Sequence, residues 1–427
     1  MRDQGLTRGV GLWSFTGSIV NGVVGAGIFG LPAAMAAAAG GLAPLAYLAV
    51  AVVMGAVVIC FAEAGSRVPT SGGAYGTVEA AFGKGAGFLT GMYMWLASVL
   101  ACGGIAAALC DALAILVPAL SGISPRLAIL AVIFVLIPWV NVRSTGLAAA
   151  VIAWGTLIKL VPLAVFVLVG GAVLLAGHDA PVATEAGQGG HFAEAMILAL
   201  FAFCGMETPL GASGEVSDPV RTVPRATILA MLFVLVLYVA IQMVAQGLLG
   251  PALGGSAEPL ADGMRRISPA LGLVLLAGGI LSRFVWIGSD ILGAPRVLFA
   301  FARDGMLPAA LGRTHPRFAT PHVAIWVHSL IAVVLAATGT FTRLAILSTL
   351  ATAGLYFLAC AAALALRRRD VAILGQPLTF RVLPVAAALG MVSMVVLIAI
   401  AKWAEIAGFV AVTISSLALY AVMRPRR

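Results

Sequence analysis

Asn21-Gly22-Val23-Val24-Gly25-Ala26-Gly27-Ile28-Phe29-Gly30-Leu31-Pro32 lies in the middle of an apolar run from residue 10 to residue 38. A helix crosses a bilayer with about 20 apolar residues, so the run is long enough to span. Glycine and proline weaken a helix interior by about 1 and 3 kcal/mol each. The centre of this span is therefore read as a break. Backbone groups freed at membrane depth are tolerated where they line a cavity. A second apolar run, 192–214, carries Cys204-Gly205-Met206-Glu207-Thr208-Pro209 at similar depth and is read as broken too. The stretch Gly25-Ala26-Gly27-Ile28-Phe29-Gly30 also fits GxGxxG. No predicted strand precedes it, so the dinucleotide reading fails its context test.

Around these breaks the chain is apolar throughout. Of its 427 residues 62% are hydrophobic and 10% charged, with a mean hydropathy of +1.11. Soluble domains are roughly 45–50% apolar and about 25% charged. Soluble enzyme, disordered tail and nucleic-acid-binding module are thereby disfavoured together, and the net charge of +9 becomes a question of topology. Further apolar segments run over 42–64, 86–117, 127–142, 147–175, 227–250, 271–302, 321–337, 344–366, 384–401 and 404–423. With the two broken runs they make twelve predicted transmembrane helices in an all-α integral membrane fold. Period-2 alternation is absent, so these are helices and not barrel strands. The first run has no small-residue cleavage site after it and is expected to stay as a span.

The two breaks lie five spans apart. That odd spacing inserts the second copy upside down, and interrupted helices in inverted halves point to a transporter binding site near the midplane. Arginine and lysine set the orientation. Arg2, Arg8, Arg67, Arg143, Arg221, the Arg367–Arg369 run and the terminal arginines fall on one side; Arg126, Arg265, Arg266, Arg343 and Lys402 fall on the other. Both termini are expected in the cytoplasm of a cell whose inner membrane holds the chain. The five cysteines (Cys60, Cys102, Cys110, Cys204 and Cys360) sit in apolar runs without a CxxC pair. They are read as small buried hydrophobes, and no disulfide, metal or cofactor is expected.

Four stretches taken together resemble the amino acid–polyamine–organocation permeases over nearly the whole chain. The first is Gly25-Ala26-Gly27-Ile28-Phe29 with Pro32. The second is the loop from Glu63 through Arg67, Pro69, Gly72, Gly73 and Tyr75 to Phe82-Gly83. The third runs Phe201 to Glu207 and on through Glu215, Asp218, Pro219, Arg221, Pro224 and Arg225. The fourth is Arg296 to Pro308 with Arg303-Asp304-Gly305. The resemblance implies a leucine-transporter-type fold, a five-plus-five inverted repeat plus two C-terminal helices. The first repeat would be 1–176, the second 177–367, and the accessory helices with a cytoplasmic tail 368–427.

It also implies a substrate site at Val23, Ala26, Gly27, Phe201, Cys204 and Glu207. The physics of a broken helix agrees. A half-helix N-terminus carries about half a positive charge and free N–H groups, which can hold an α-carboxylate. Freed carbonyls at the end of the sixth span's half-helix can accept from an α-ammonium. Ala26 stands where the family often has serine, which leaves the carboxylate to backbone groups. Met94 is added as an apolar wall, and Phe201 matches the family's aromatic lid.

Charges at bilayer depth cost about 2.5–3.5 kcal/mol on insertion scales. Glu207 matches the family's gating acid; a structural hydrogen bond to a neighbouring span is the alternative. Asp290, about 10.5 Å along the helix from Arg283, is read either as a substrate-binding residue or as part of an ion-pair network. Lys159 lies about 18–24 Å from either end of its span, too far to snorkel. In the subgroup that the chain resembles, a lysine here replaces a sodium ion. It would sit against carbonyls near Gly22 and Val23, with Ser289 a less certain partner. Lys159 and Glu207 are thus proton-coupling candidates; a permanently charged pin is the other reading of Lys159. Glu63, Arg67, Glu79, Arg143, Arg221 and Arg303 are weighed as an inner-gate set against ordinary solvated loop charges.

The expected function is secondary active transport of amino acids, neutral and mostly apolar, driven by protons without sodium. The expected partners are the amino acid, protons and membrane lipids, with no nucleic acid. Alternatives are an amino acid or amine exchanger and a cationic amino acid or polyamine permease. A membrane enzyme would need a nucleophile–base or metal set, and His178, His191, His315, His322 and His328 form no such motif. A transporter-like sensor would need a cytoplasmic relay domain, and the sequence has no extended polar segment for one.

Overall fold

The computed structural model describes residues 9–68, 73–143, 145–177, 192–210, 216–373 and 376–423, with side chains except at 145–158, 208, 219 and 220. Arg2, Arg8, Pro69, Gly72, His178, His191, Glu215, Arg424, Arg426 and Arg427 lie outside these residues. Among the described residues there is no strand, only one isolated parallel bridge between Val10 and Val216.

The helices run α1 (Leu12–Val23), α2 (Leu31–Ala39), α3 (Ala43–Arg67), α4 (Gly73–Phe82), α5 (Lys84–Leu116), α6 (Ile123–Arg143), α7 (Thr145–Leu175), α8 (Phe192–Phe203) and α9 (Glu207–Leu210). They continue as α10 (Pro219–Leu249), α11 (Pro259–Arg265), α12 (Pro269–Gly293), α13 (Pro295–Arg303), α14 (His322–Thr338), α15 (Phe341–Arg368), α16 (Leu383–Ala399) and α17 (Trp403–Met423). Seven helices or merged helix pairs are long and apolar enough to cross a membrane, and four more apolar helices are shorter.

The apolar runs thus become helices close to their expected limits, with instructive exceptions. The run 271–302 is not one helix: it divides at Ala294 into α12 and α13, where Pro295 opens the second. The loop after α3 contains α4, whose Ala74, Val78 and Ala81 are buried. The connection after α10 contains α11, opened by Pro259 at its first turn.

Packing follows membrane rules. Lipid is as apolar as leucine, so helices associate through close packing of small residues and through hydrogen bonds. α15 shows this. Ala345, Ala351, Ala353, Ala359, Ala362 and Ala363 are buried along it, and it packs along α5 while α12 packs along α7 and α10 along α3. Large apolar side chains face outward instead: Val52, Val132, Leu168, Val236, Val385 and Val392 are exposed. α17 is peripheral, with Ser416 its one buried residue.

Candidate functional site

The first break forms where the sequence weakens the helix. α1 ends at Val23; Gly25 donates back to the Val23 carbonyl at 2.7 Å; a single 3-10 turn covers Ala26–Phe29; and α2 starts at Leu31 with Pro32 in its first turn. The second break separates α8 from α9 through Cys204, Gly205 and Met206. The breaks touch. A Cβ added to Gly22 would lie 2.7 Å from the Gly205 carbonyl oxygen, and one added to Gly205 would lie 2.4 Å from the Gly22 carbonyl oxygen. Gly205 also has φ +114°, a conformation that side-chain-bearing residues rarely adopt.

A cavity of about 570 Å³ opens beside this junction. That volume falls within the usual range for small-ligand sites, about 300–1,000 Å³. Val23, Gly27, Met94, Phe201, Cys204, Glu207, Asp290 and Lys159 all line it. Ala26 does not: it is buried in an apolar cluster with Val99, Cys102 and Ile287, so its methyl faces packing and not the cavity. Phe201 meets Phe341 edge to face at 6.0 Å between ring centroids. A Cβ on Gly27 would lie 3.0 Å from Phe201 and 3.5 Å from Phe341. The two rings therefore pack against Gly27, and a side chain there would press on Phe201.

Among the described lining residues the ionisable acids and bases besides thiols and phenols are Lys159, Glu207 and Asp290, each buried and each already engaged. Lys159 Nζ donates to the Asn21 carbonyl at 2.7 Å, one residue before the expected Gly22–Val23 carbonyls. The Val23 carbonyl accepts instead from the Tyr238 hydroxyl at 2.9 Å. Glu207 accepts from the Gly205 N–H at 3.1 and 3.2 Å and from the Tyr356 hydroxyl on α15 at 3.0 Å. Asp290 accepts from the Ser98 hydroxyl on α5, and its other oxygen lies 2.9 Å from His328 Nε2 on α14. Tyr238, Tyr356, Ser98 and His328 were not singled out by the sequence. Hydroxyls are ordinary in spans, and a partner on a distant helix leaves no mark in local spacing.

Arg283 does not share a partner with Asp290. Its guanidinium pairs with Glu258, which precedes α11, at 2.8 Å, and Nη2 donates at 3.1 Å. The pair is buried beside Gly30. Burial pushes the Glu258 carboxyl above its usual range, and the Arg283 guanidinium pulls it back. The weighed inner-gate set disperses. Glu63 and Arg67 form a buried pair at 3.1 Å that accepts from the Phe380 N–H and donates to the Val371 carbonyl, pinning α3 to the α15–α16 connection. Arg143 lies over the Trp139 ring at 4.1 Å, Arg303 over Phe299 at 5.8 Å, and Arg221 makes an exposed 4.0 Å contact with Asp218.

A family described as amino acid permease matches residues 10–423. The chain is similar to the serine/threonine exchanger SteT of Bacillus subtilis, 30% identical over 76% of this chain and 75% of that one. It is 24% identical to the branched-chain amino acid permease BcaP of Bacillus subtilis, over 86% of this chain and 83% of the relative. It is 29% identical to the large neutral amino acids transporter small subunit 2 of Rattus norvegicus, over 75% and 62%.

Proposed function

Because the chain belongs to the amino acid permease family, which its match from residue 10 to 423 establishes, we propose that it carries neutral, mostly apolar amino acids by alternating access, coupled to protons and independent of sodium. The chain is a multi-pass membrane transporter of amino acids and not an enzyme, as its relatives are. The observation that carries the finer reading is the junction of two broken helices at a cavity whose three charged side chains are each hydrogen-bonded within the protein. Lys159, Glu207 and Asp290 each hold a partner within the protein, and the rest of the wall is largely apolar, which favours a neutral side chain. Val23, Met94, Ile105, Phe201 and Trp286 supply apolar wall. The free N–H groups of the Ala26–Phe29 turn would take the α-carboxylate.

On this reading the twelve spans form an inverted pair of five-helix repeats (1–176 and 177–367) with α16 and α17 accessory, in the inner membrane with both termini cytoplasmic. α12 and α13 together make the eighth span. The cavity includes Val10 just before α1, Ser14 in its first turn, Gly293 at the end of α12 and Val297 in α13. The charge bias along the chain would put those ends on the cytoplasmic side, while Phe201 and Phe341 pack against Gly27 and Arg283 lies beside Gly30, towards the opposite side. The conformation is thus inward-facing.

The test is uptake of radiolabelled amino acids into proteoliposomes with unlabelled competitors. Leucine or alanine should compete more strongly than arginine or putrescine. Stronger competition by arginine or putrescine would favour the cationic permease reading and reassign Asp290 to the substrate.

A further inference from the structure

Cys102 from α5, Asp290 from α12 and His328 from α14 meet beside the cavity. One ligand atom from each lies within 4.8 Å of the other two. Cys102 and His328 are fully buried, and Asp290 reaches the cavity wall. The imidazole spends Nε2 on Asp290, and its Nδ1 is buried with no partner among the described residues. A buried polar atom left unpaired is destabilising. An ion shared with Asp290 would take Nε2 in place of this hydrogen bond, because Nε2 is the ring nitrogen that faces the carboxylate.

We propose that Cys102, Asp290 and His328 are a binding site for a single divalent metal ion of borderline softness, with Zn²⁺ the best match. Thiolate, carboxylate and imidazole are the donors that Zn²⁺ takes in tetrahedral sites, whereas Mg²⁺ and Ca²⁺ prefer oxygen alone. The charges also fit the setting. A thiolate and a carboxylate balance a dication, so the complex is neutral in a region where net charge is costly. Binding releases the thiol proton, and the cavity beside Asp290 gives both the proton and the ion a route. Water from the cavity supplies the fourth ligand, and Ser98 holds the carboxylate from behind. An ion bound here ties α5, α12 and α14 together, so occupancy opposes the helix movements that transport needs.

The competing account is a water bridging His328 Nδ1 to the equally unpartnered Nε1 of Trp95, whose ring lies 6.5 Å from the imidazole. Calorimetric titration separates the two, with tag-free, EDTA-stripped protein and ZnCl₂, and MgCl₂ as the hard-ion control. We expect a Zn²⁺ site absent with Mg²⁺ and weakened at least about tenfold in both Cys102→Ala and His328→Gln, but unchanged in Cys110→Ala. Monodisperse elution and an unchanged melting temperature in EDTA show that the variants are folded; Zn²⁺ should raise that temperature in wild type and not in Cys102→Ala. Zn²⁺ held by the His315–His322 pair, whose rings are 5.4 Å apart, would survive these substitutions. Absence of Zn²⁺ binding to wild type, or binding unaffected by both substitutions, overturns the proposal.

Discussion

Glu207 is held from two sides, by the Gly205 N–H of its own break and by Tyr356 of α15. Glutamine keeps an oxygen for both donors and removes the titratable charge. Charge-assisted hydrogen bonds are roughly twice as strong as neutral ones, so Glu207→Gln should fold normally with a stability loss of about 1 kcal/mol. Its effect belongs in transport: a rate lower by about tenfold, or a displaced pH profile. Uptake indistinguishable from wild type between about pH 5 and 8, where ordinary histidine and perturbed acid chemistry falls, would leave Glu207 a structural tie. At this scale the sequence was legible wherever a residue clashed with its surroundings. Lys159, Glu207 and Asp290 are charges in apolar runs, and all three line the cavity. Ala26 was named through the resemblance for its backbone, and its methyl packs in an apolar cluster, a direction that periodicity cannot project across a break. His328 was passed over because spacing within one segment says nothing of a carboxylate 38 residues away on another helix.

The elements that matter most are the two breaks, and they depend on one contact. Gly205→Ala places a methyl 2.4 Å from the Gly22 carbonyl oxygen in a left-handed conformation that costs about 1–2 kcal/mol by itself. The neighbour is backbone and cannot rotate away. Gly205→Ala should therefore separate the breaks, lower the melting temperature and reduce uptake at least about tenfold, through loss of more than about 1.4 kcal/mol of favourable geometry. Gly41→Ala, where no atom lies within 4 Å, should leave both unchanged; equal behaviour of the two variants would refute the contact's importance. Breaks and spans were legible because glycine, proline and hydropathy act locally. The Ala294 division, α4 and α11 were not. A proline after a small residue permits either a kink or a fresh start, and α4 and α11 are too short to declare themselves by hydropathy.

For the whole molecule the question is what Lys159 contributes to alternating access. Its amine donates to the Asn21 carbonyl, two residues before α1 ends, and so joins α7 to α1. The cavity reaches Lys159, which gives its proton a water path; on the proposed alternating-access reading, the opposite arrangement would close that path and open another. A group that exchanges its proton with different sides in different states couples transport to the proton gradient. A pin that never releases its proton only holds α1 in place. Both accounts give uptake without sodium, so sodium removal does not separate them. An imposed proton gradient, acidic outside, does. Coupling predicts that wild-type proteoliposomes accumulate substrate above equilibrium and that collapsing the gradient with an ionophore abolishes this. Lys159→Ala should then lose gradient-driven accumulation while keeping exchange of internal for external substrate, because the proposed carboxylate site is made of backbone groups and not of the amine. Wild-type uptake insensitive to the gradient, with Lys159→Ala still exchanging, would make the lysine a pin and the protein an exchanger.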